Sequence, residues 1–509
     1  MNNKIVLLIM ALAGMLNIRG QSPAGIQWER NFGGTDTDFA NVVKPTSDGG
    51  YIVGGYSYSG VSGNKTSASY GSGDYWVVKL DASGNKQWDK SYGGTNFDGI
   101  NSLQQTSEGG YILGGTSFSD VSGNKTSDGY GGSDFWVVKL DAGGNKHWDK
   151  SYGGSSNEVL HSLQQTSDGG YILGGISFSE ISGNKTSGSQ GAGDYWIVKV
   201  DANGNKQWEK SYGGNDRDEL HSLQQTVDGG YVLGGSSFSR ASGNKTNVNR
   251  GTGTSDYWVV KVDASGNKQW DKSYGGDDAE ELYAVQQTSD GGYILGGNSY
   301  SGVSGNKTAA SYGSHDYWVV KLDSSGNKQW DKSCGGNDSD ELYSVQQTSD
   351  GGYILGGISS SGVSGNKTSV LNSPDVRAYW LVKLGVNGDK QWEQAVRGTY
   401  SGEVLRLQPC RDGGFILAGL ATSLPSAEPD FGVTKLSAAL QLYSLSFRPN
   451  GFFQARLTGL PGTNYVLQAT TNFTNWISVL TNNAADGDVK FVGTNASAFA
   501  KRFYRARQL

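Results

Sequence analysis

The sequence predicts an all-β protein: a seven-bladed β-propeller of four-stranded blades, closed by an N-terminal strand and followed by a small β-sandwich domain. Three observations predict it. A unit of about sixty residues recurs seven times, marked by Trp28, Trp88, Trp148, Trp208, Trp270, Trp330 and Trp392. An aromatic after a double glycine keeps the same step: Tyr51, Tyr111, Tyr171, Tyr231, Tyr293, Tyr353 and Phe415. Each unit holds four short runs rich in β-branched and aromatic residues, and no stretch sustains a helical period. Self-similarity at this period belongs to propellers and solenoids.

The chain has 509 residues, with 79 Gly, 27 Tyr and 14 Trp against 8 Pro, which fits many short strands joined by tight turns and not disorder. A net charge of −6 argues against nucleic acid or an anionic membrane surface as partner. Residues 1–20 read as a secretory signal peptide: Lys4, an apolar run from Ile5 to Leu16, and small residues near Gly20, after which cleavage is expected. The run is too short for a membrane span, and no later segment reaches the length required. No Cys lies near the cleavage position, so a lipid anchor is not expected. The expected product is a soluble monomer, secreted or held at the cell surface. Cys334 and Cys410 fall in non-adjacent units and do not recur, so a disulfide between them is not expected.

In the second unit the four runs are Ile100–Gln104, Tyr111–Gly115, Phe135–Leu140 and Lys146–Tyr152. The turns Thr106–Gly110 and Asp141–Asn145 join them in pairs as hairpins. Four antiparallel strands, A to D, make a propeller blade. The chain opens on a lone Trp strand, Ile26–Phe32, and its seventh unit ends on Phe431–Leu436. These ends are complementary: the N-terminal strand completes the last blade and removes two exposed edges. An open solenoid would leave Ile26–Phe32 unpaired.

Loop lengths assign the faces. The A–B and C–D turns are tight and share one face. The B–C loops (SFSxxSGNKTSxxYGxxD) and D–A loops (GGxxxD) are long and share the other, and long loops on a rigid scaffold are where binding residues concentrate. The D–A loop repeats an acid at Asp38, Asp98, Glu158, Asp218, Glu280 and Asp340; the seventh unit has Gly402, followed by Glu403. Placed where the innermost strand begins, these acids are expected to ring one mouth of the central channel. Carboxylates ~9 Å apart repel by about 2 kcal/mol at an effective dielectric near 20, which favours a bound cation such as Ca²⁺, or a cationic ligand. The other role that fits is local: each carboxylate accepts N–H bonds within its own turn.

The B–C loop repeats Ser-Gly-Asn-Lys-Thr, with Asn at 64, 124, 184, 244, 306 and 366. Asn-Lys-Thr is a glycosylation pattern, one that carries no such meaning if the source is bacterial; an ordered Asx-type turn accounts for it. Its six lysines are expected to balance the acids across the face. Just inside strand A one position varies round the ring: Asn41, Asn101, His161, His221, Tyr283, Tyr343 and Leu405. The adjacent histidines fit either a metal pair or the duplication of one blade into its neighbour. The Asp81–Asn85 turn lacks the alternating acids of an EF-hand and reads as a plain hairpin. The repeated glycines open no helix and read as turn and packing residues, not a phosphate cradle.

The strings DGGYILGG and DYWVVKLDASGNKQW resemble the repeats of secreted bacterial propeller proteins of the Bacteroidetes and their relatives, over roughly residues 26–437. The resemblance implies fold and export, and no reaction. Quinoprotein blades share the hairpin ending in Trp, but their helices, ligand residues and eight-blade count are not evident. Kelch blades hold their two tryptophans closer than Trp76 and Trp88, and sialidases need a recurring Asp box and an arginine cluster.

The propeller is expected over 24–437. Residues 440–509 form a second module with strand-like runs at Phe452–Leu457, Asn464–Ala469, Trp476–Leu480 and Val489–Val492. GLPGTNYVLQATTNFTNWISV is similar to C-terminal sandwich modules of secreted Verrucomicrobia-type proteins, which implies an immunoglobulin-like fold.

Near-identical blades offer repeated equivalent contacts more readily than one asymmetric catalytic centre. The expected function is therefore an exported, non-enzymatic scaffold that recognises extracellular glycan or protein through the long-loop face, with no cofactor beyond a possible role for Ca²⁺. The ligand-binding set is Asp38, Asp98, Glu158, His161, Asp218, His221, Glu280, Tyr283, Asp340 and Tyr343. Two alternatives stand beside it. One is a carbohydrate-active enzyme, a lyase or glycosidase, that uses the channel-mouth carboxylates with His161 or His221. The other is a purely structural surface protein.

Overall fold

A computed structural model describes residues 26–369, 377–396, 404–421 and 428–437, and the strands between 441 and 508. The leader at 1–20, Gly402 and the side chain of Leu405 lie outside the described residues. All regular structure described is β. Six four-stranded antiparallel sheets follow one another in chain order, each ordered A-B-C-D. Blade 2 is representative, with Asp98–Gln105, Tyr111–Ser117, Asp134–Leu140 and Lys146–Tyr152. The seventh sheet runs Ile26–Phe32, Asp430–Leu436, Phe415–Ala421, Val404–Pro409, so the first strand of the chain closes the last blade. Two three-stranded antiparallel sheets make up the C-terminal module. Its strands Phe453–Thr458, Thr463–Thr470, Ile477–Ala484 and Asp488–Gly493 overlap the four runs read from the sequence, and Gln441–Phe447 and Phe503–Gln508 are two strands that reading did not include.

Strand A is innermost: successive A strands touch one another round the ring. Each of the first six A–B ladders has one bulge, between Ile100 and Ser102 in blade 2, where the extra residue is the variable position Asn101. The same bulge singles out Asn41, His161, His221, Tyr283 and Tyr343. A bulged residue leaves the ladder's alternation and is re-aimed, here into the channel mouth. The second glycine of LGG makes the bulge possible: a Cβ on Gly115 would lie 2.0 Å from the Gly99 carbonyl oxygen. The first packs blades together, since a Cβ on Gly114 would lie 2.8 Å from Leu163 of the next blade.

The core lies between blades. Six strand-C tryptophans, Trp76 to Trp380, are fully buried. Trp136 stands against Tyr75 of the preceding blade at 4.5 Å, and the Tyr75 hydroxyl donates to the Trp136 carbonyl at 2.9 Å. Four further junctions repeat an aromatic–Trp contact. The series closes where Trp76 of blade 1 meets Phe431 of blade 7 at 4.4 Å. Burying each such ring removes apolar surface worth about 3 kcal/mol from water. The seventh unit has Gly432 at the Trp position, and a narrow cleft lined by Tyr343, Tyr379, Arg406 and Leu407 marks that seam.

The repeated polar residues join neighbouring elements. Lys79 of strand C pairs with Asp48 of the A–B turn at 2.8 Å, and the six other blades repeat the pair with Asp or Glu. Asp81 Oδ1 accepts the N–H groups of Ser83 and Asn85, closing an ordinary hairpin turn in which Gly84 has φ 78°.

Candidate functional site

The long-loop face is built on carboxylates that do not reach solvent. Asp38, Asp98, Glu158, Asp218, Glu280 and Asp340 are all 0 % exposed. Asp98 Oδ2 accepts the Gly94 N–H at 2.8 Å and the Ser119 hydroxyl at 3.0 Å, tying the D–A loop to the B–C loop of the same blade. Glu158 takes the Gly154 N–H and the Ser177 hydroxyl, one on each oxygen. The Gly–Gly turn folds each acid inward, so the repeated acids are buried loop anchors and not an exposed ring of charge.

The lysine of each SGNKT motif is buried with them. Asn124 Oδ1 accepts the Gly93 N–H at 2.9 Å and its Nδ2 donates to the Ser91 carbonyl at 3.0 Å, so each B–C loop is clamped to the blade before it. Lys125 is 2 % exposed, donates to Ser151 Oγ at 3.0 Å and lies 5.8 Å from the Trp136 ring centroid. The lysines expected to balance the acids on the face do so in the interior, because their stems pass over the strand-C indoles.

A second acid stands opposite each anchor. A Cβ on Gly153 would lie 1.9 Å from Asp134 Oδ1 and 2.6 Å from Glu158 Oε2. Burial first, then the Glu158 charge, push Asp134 up to about 6. Asp134 Oδ1 has no hydrogen-bond partner among the described residues. A carboxyl raised in the fold contributes stability that is full below its unfolded value near 3.9 and is lost as pH rises through about 6. Asp134→Asn is therefore expected to match the parent near pH 4 and to exceed it at pH 8 by on the order of 2 kcal/mol. Thermal melts at the two pH values check this, and a variant less stable at pH 8 would remove the repulsion from the account.

The bulge residues are the ones that meet solvent and one another. His161, His221, Tyr283 and Tyr343, on four consecutive A strands, form one array with ring centroids 5.1, 5.2 and 5.4 Å apart. Three glutamates unforeseen as site residues join them: Glu219, Glu281 and Glu341, each next to its buried anchor in the chain. His161 Nε2 lies 3.1 Å from Glu219 Oε1, and Arg217 donates to Glu219 Oε2 at 2.5 Å. Tyr283 donates to Glu281 Oε2 at 2.7 Å, and Tyr343 donates to Glu341. His315 stands 3.7 Å and Arg377 3.9 Å from Glu341. Burial works to raise Glu219, but the His161 contact and the His221, His161 and Arg217 charges hold it down at about 2. Burial, helped by His161, Arg406 and Arg217, holds His221 at about 3 against the pull of Glu219. Glu219 is a carboxylate and His221 a neutral imidazole at pH 7. The doublets Asp218-Glu219, Glu280-Glu281 and Asp340-Glu341 were the signal for these residues, since blades 1 to 3 have Phe39, Gly99 and Val159 there.

Outside this polar arc stands an apolar rim. Tyr58, Phe118, Phe178, Phe238 and Tyr300, each first after its strand B, are 38–46 % exposed. Beyond them Val61, Val121, Ile181, Val303 and Val363 at the B–C loops are 53–67 % exposed. Among the described residues no helix is long and apolar enough to cross a membrane.

No family model matches the chain. A stretch of 193 residues is 25% identical to the regulatory protein FlaEY of Caulobacter vibrioides, covering 37% of this chain and 20% of that protein. The chain thus spans about a fifth of the length of that curated relative. Among solved structures it is similar to polysaccharide lyase Uly1 (TM-score 0.46, 9% identity, 81% of this chain and 99% of that one). It is also similar to the Pan2 WD40 domain of Neurospora crassa (TM-score 0.40, 10% identity, 80% and 95%). Puromycin hydrolase matches with a TM-score of 0.43 at 10% identity, over 84% of this chain and 60% of that one.

Proposed function

We propose that the protein is an exported, non-enzymatic binding propeller that holds an extracellular glycan or protein on its long-loop face, with the C-terminal module as an immunoglobulin-like accessory sandwich. The observation that carries this reading is the rim of five equivalent, half-exposed aromatics, Tyr58, Phe118, Phe178, Phe238 and Tyr300. Large exposed apolar side chains repeated at one position on a single face and bordered by polar groups suit an interaction surface. Flat rings suit both the apolar face of a sugar and an apolar protein side chain. The partly exposed bulge residues His161, His221, Tyr283 and Tyr343 supply hydrogen-bonding groups at the centre, while the six buried acids hold the loops in place. No cofactor is part of this recognition.

Replacing Phe118, Phe178, Phe238 and Tyr300 together by Ser is expected to weaken binding at least about tenfold, as loss of central aromatic contacts does. A panel of soluble polysaccharides and of proteins from the same extracellular fraction distinguishes the two ligand classes. Any ligand bound equally by the parent and the fourfold variant overturns the rim as the binding surface.

A second reading rests on one observation, the asymmetry of the arc: His161, Glu219 and Tyr283 differ in acid–base character, as catalysis of glycan cleavage requires. That reading is a lyase or glycosidase. It predicts new reducing ends when the protein is incubated with a polysaccharide it binds, and intact polymer excludes it for that ligand.

A further inference from the structure

The geometry points to a divalent transition-metal site of the zinc class at the channel mouth, formed by His161, His221 and Glu219. The chain has four histidines, and three of them, His161, His221 and His315, stand at this mouth. One ligand atom from each of His161, Glu219 and His221 lies within 4.8 Å of the other two. His161 Nε2 and Glu219 Oε1 are 3.1 Å apart, close to the roughly 3.3 Å that separates two donors on one tetrahedral zinc with bonds near 2.0–2.1 Å.

Three features prepare the cluster. Both histidines are bulge residues, projecting from the ladders of neighbouring A strands toward the same space. Arg217 fixes Glu219 through Oε2 and leaves Oε1 facing His161, the orienting arrangement that metal-binding carboxylates use. The imidazole of His221 makes no hydrogen bond among the described residues, so its lone pair is available. Two imidazoles and one carboxylate suit zinc and its first-row neighbours, and leave a position open to the channel.

Duplication of one blade into the next accounts for two histidines in register. It does not account for Glu219 and Arg217, whose counterparts in blade 3 are Val159 and Asn157. The charges of Arg217 and Arg406 act against a cation here, which weakens the expected affinity relative to a site without them. The site shares His161 and His221 with the proposed ligand face but not the aromatic rim, and metal uptake is read without any glycan or protein ligand, so the two proposals fail separately.

Equilibrium dialysis of the purified full chain against zinc chloride, with elemental analysis, tests it. The parent is expected to take up about one equivalent that H161Q/H221Q does not, and to gain thermal stability with zinc that the double variant does not gain. Cobalt(II) substitution is expected to give visible absorption with the parent alone. E219Q, which leaves both imidazoles, is expected to weaken uptake at least about tenfold. A parent that takes up no zinc overturns the proposal. So does undiminished uptake by H161Q/H221Q, whose fold is checked by an unchanged metal-free melt.

Discussion

A chain lacking everything up to Phe32 is expected to lose the closed ring, with a thermal midpoint lower by on the order of 10 °C and concentration-dependent self-association. Strand Ile26–Phe32 covers the outer edge of Asp430–Leu436 and makes the last blade four-stranded. Its loss leaves seven residues of strand with unpaired N–H and C=O groups at the seam between last and first blades. It also withdraws Phe32, which is 5 % exposed, and the Asn31 carbonyl to which Asn64 Nδ2 donates at 3.0 Å. Among the described contacts the junction keeps the Trp76–Phe431 packing, the Asp38 N–H to Pro429 carbonyl bond and the Thr37 hydroxyl bond to Glu428. Blade 7 already lacks the strand-C Trp, having Gly432, so it has least packing to spare. Size-exclusion chromatography and melts at several concentrations read both effects. Adding a peptide of residues 24–33 is expected to restore the monomer, as strand addition at an open edge does. A truncated chain that stays monomeric and melts with the parent would show that the ring closes by other means.

The ring, its phase and its two faces were legible in the sequence because a repeat reports them redundantly: six units place Tyr and Trp at the same steps, and turn lengths sort the faces. The pairing of Ile26–Phe32 with the last blade followed from complementary ends alone. The site was less legible. Asp218 and Glu219 are adjacent acids of equal polarity, yet one is fully buried and the other faces the channel. A period-two reading cannot rank them, because the bulge at His221 breaks the alternation two residues later. Lys125 misled in the same way: a lysine in a polar loop reads as exposed, and only the indole of Trp136 beneath it accounts for its burial. The aromatic rim is hard to read from SFS, where a single aromatic between serines has no periodic neighbours; its signal is a large apolar residue at one position in five loops.

Asp149→Ala is expected to destabilise the protein by about 3–5 kcal/mol, the cost of removing one partner from a buried charged network. Asp149 joins the long B–C loop of its blade to the strands beneath. Its Oδ2 accepts the N–H groups of Thr126 and Ser127, both at 3.0 Å, and the Trp136 indole N–H at 3.1 Å. Its Oδ1 accepts the Thr126 hydroxyl and the Lys146 ammonium, each at 2.5 Å. Burial opposes ionisation, but these donors, Lys146 foremost, hold the carboxyl well below the usual range. A lowered carboxyl contributes stability that is present above its unfolded value near 3.9 and lost as pH falls through the folded one, so the deficit of Asp149→Ala is full at pH 7 and shrinks only in strong acid. The chain contains its own control. Glu209 and Glu393 occupy this position in two other blades, and there the indole N–H of Trp196 and of Trp380 has no partner among the described residues. Asp149→Glu is accordingly expected to keep the loop and lose only the indole bond, at about 1 kcal/mol. Because the loop carries Val121 and follows Phe118, Asp149→Ala is also expected to expose residues 118–133 to limited proteolysis, and to weaken any ligand of the long-loop face without touching it. If Asp149→Ala unfolds within 1 kcal/mol of the parent at pH 7, the loop is held by Asn124 and Lys125 instead, and the buried carboxylate is dispensable.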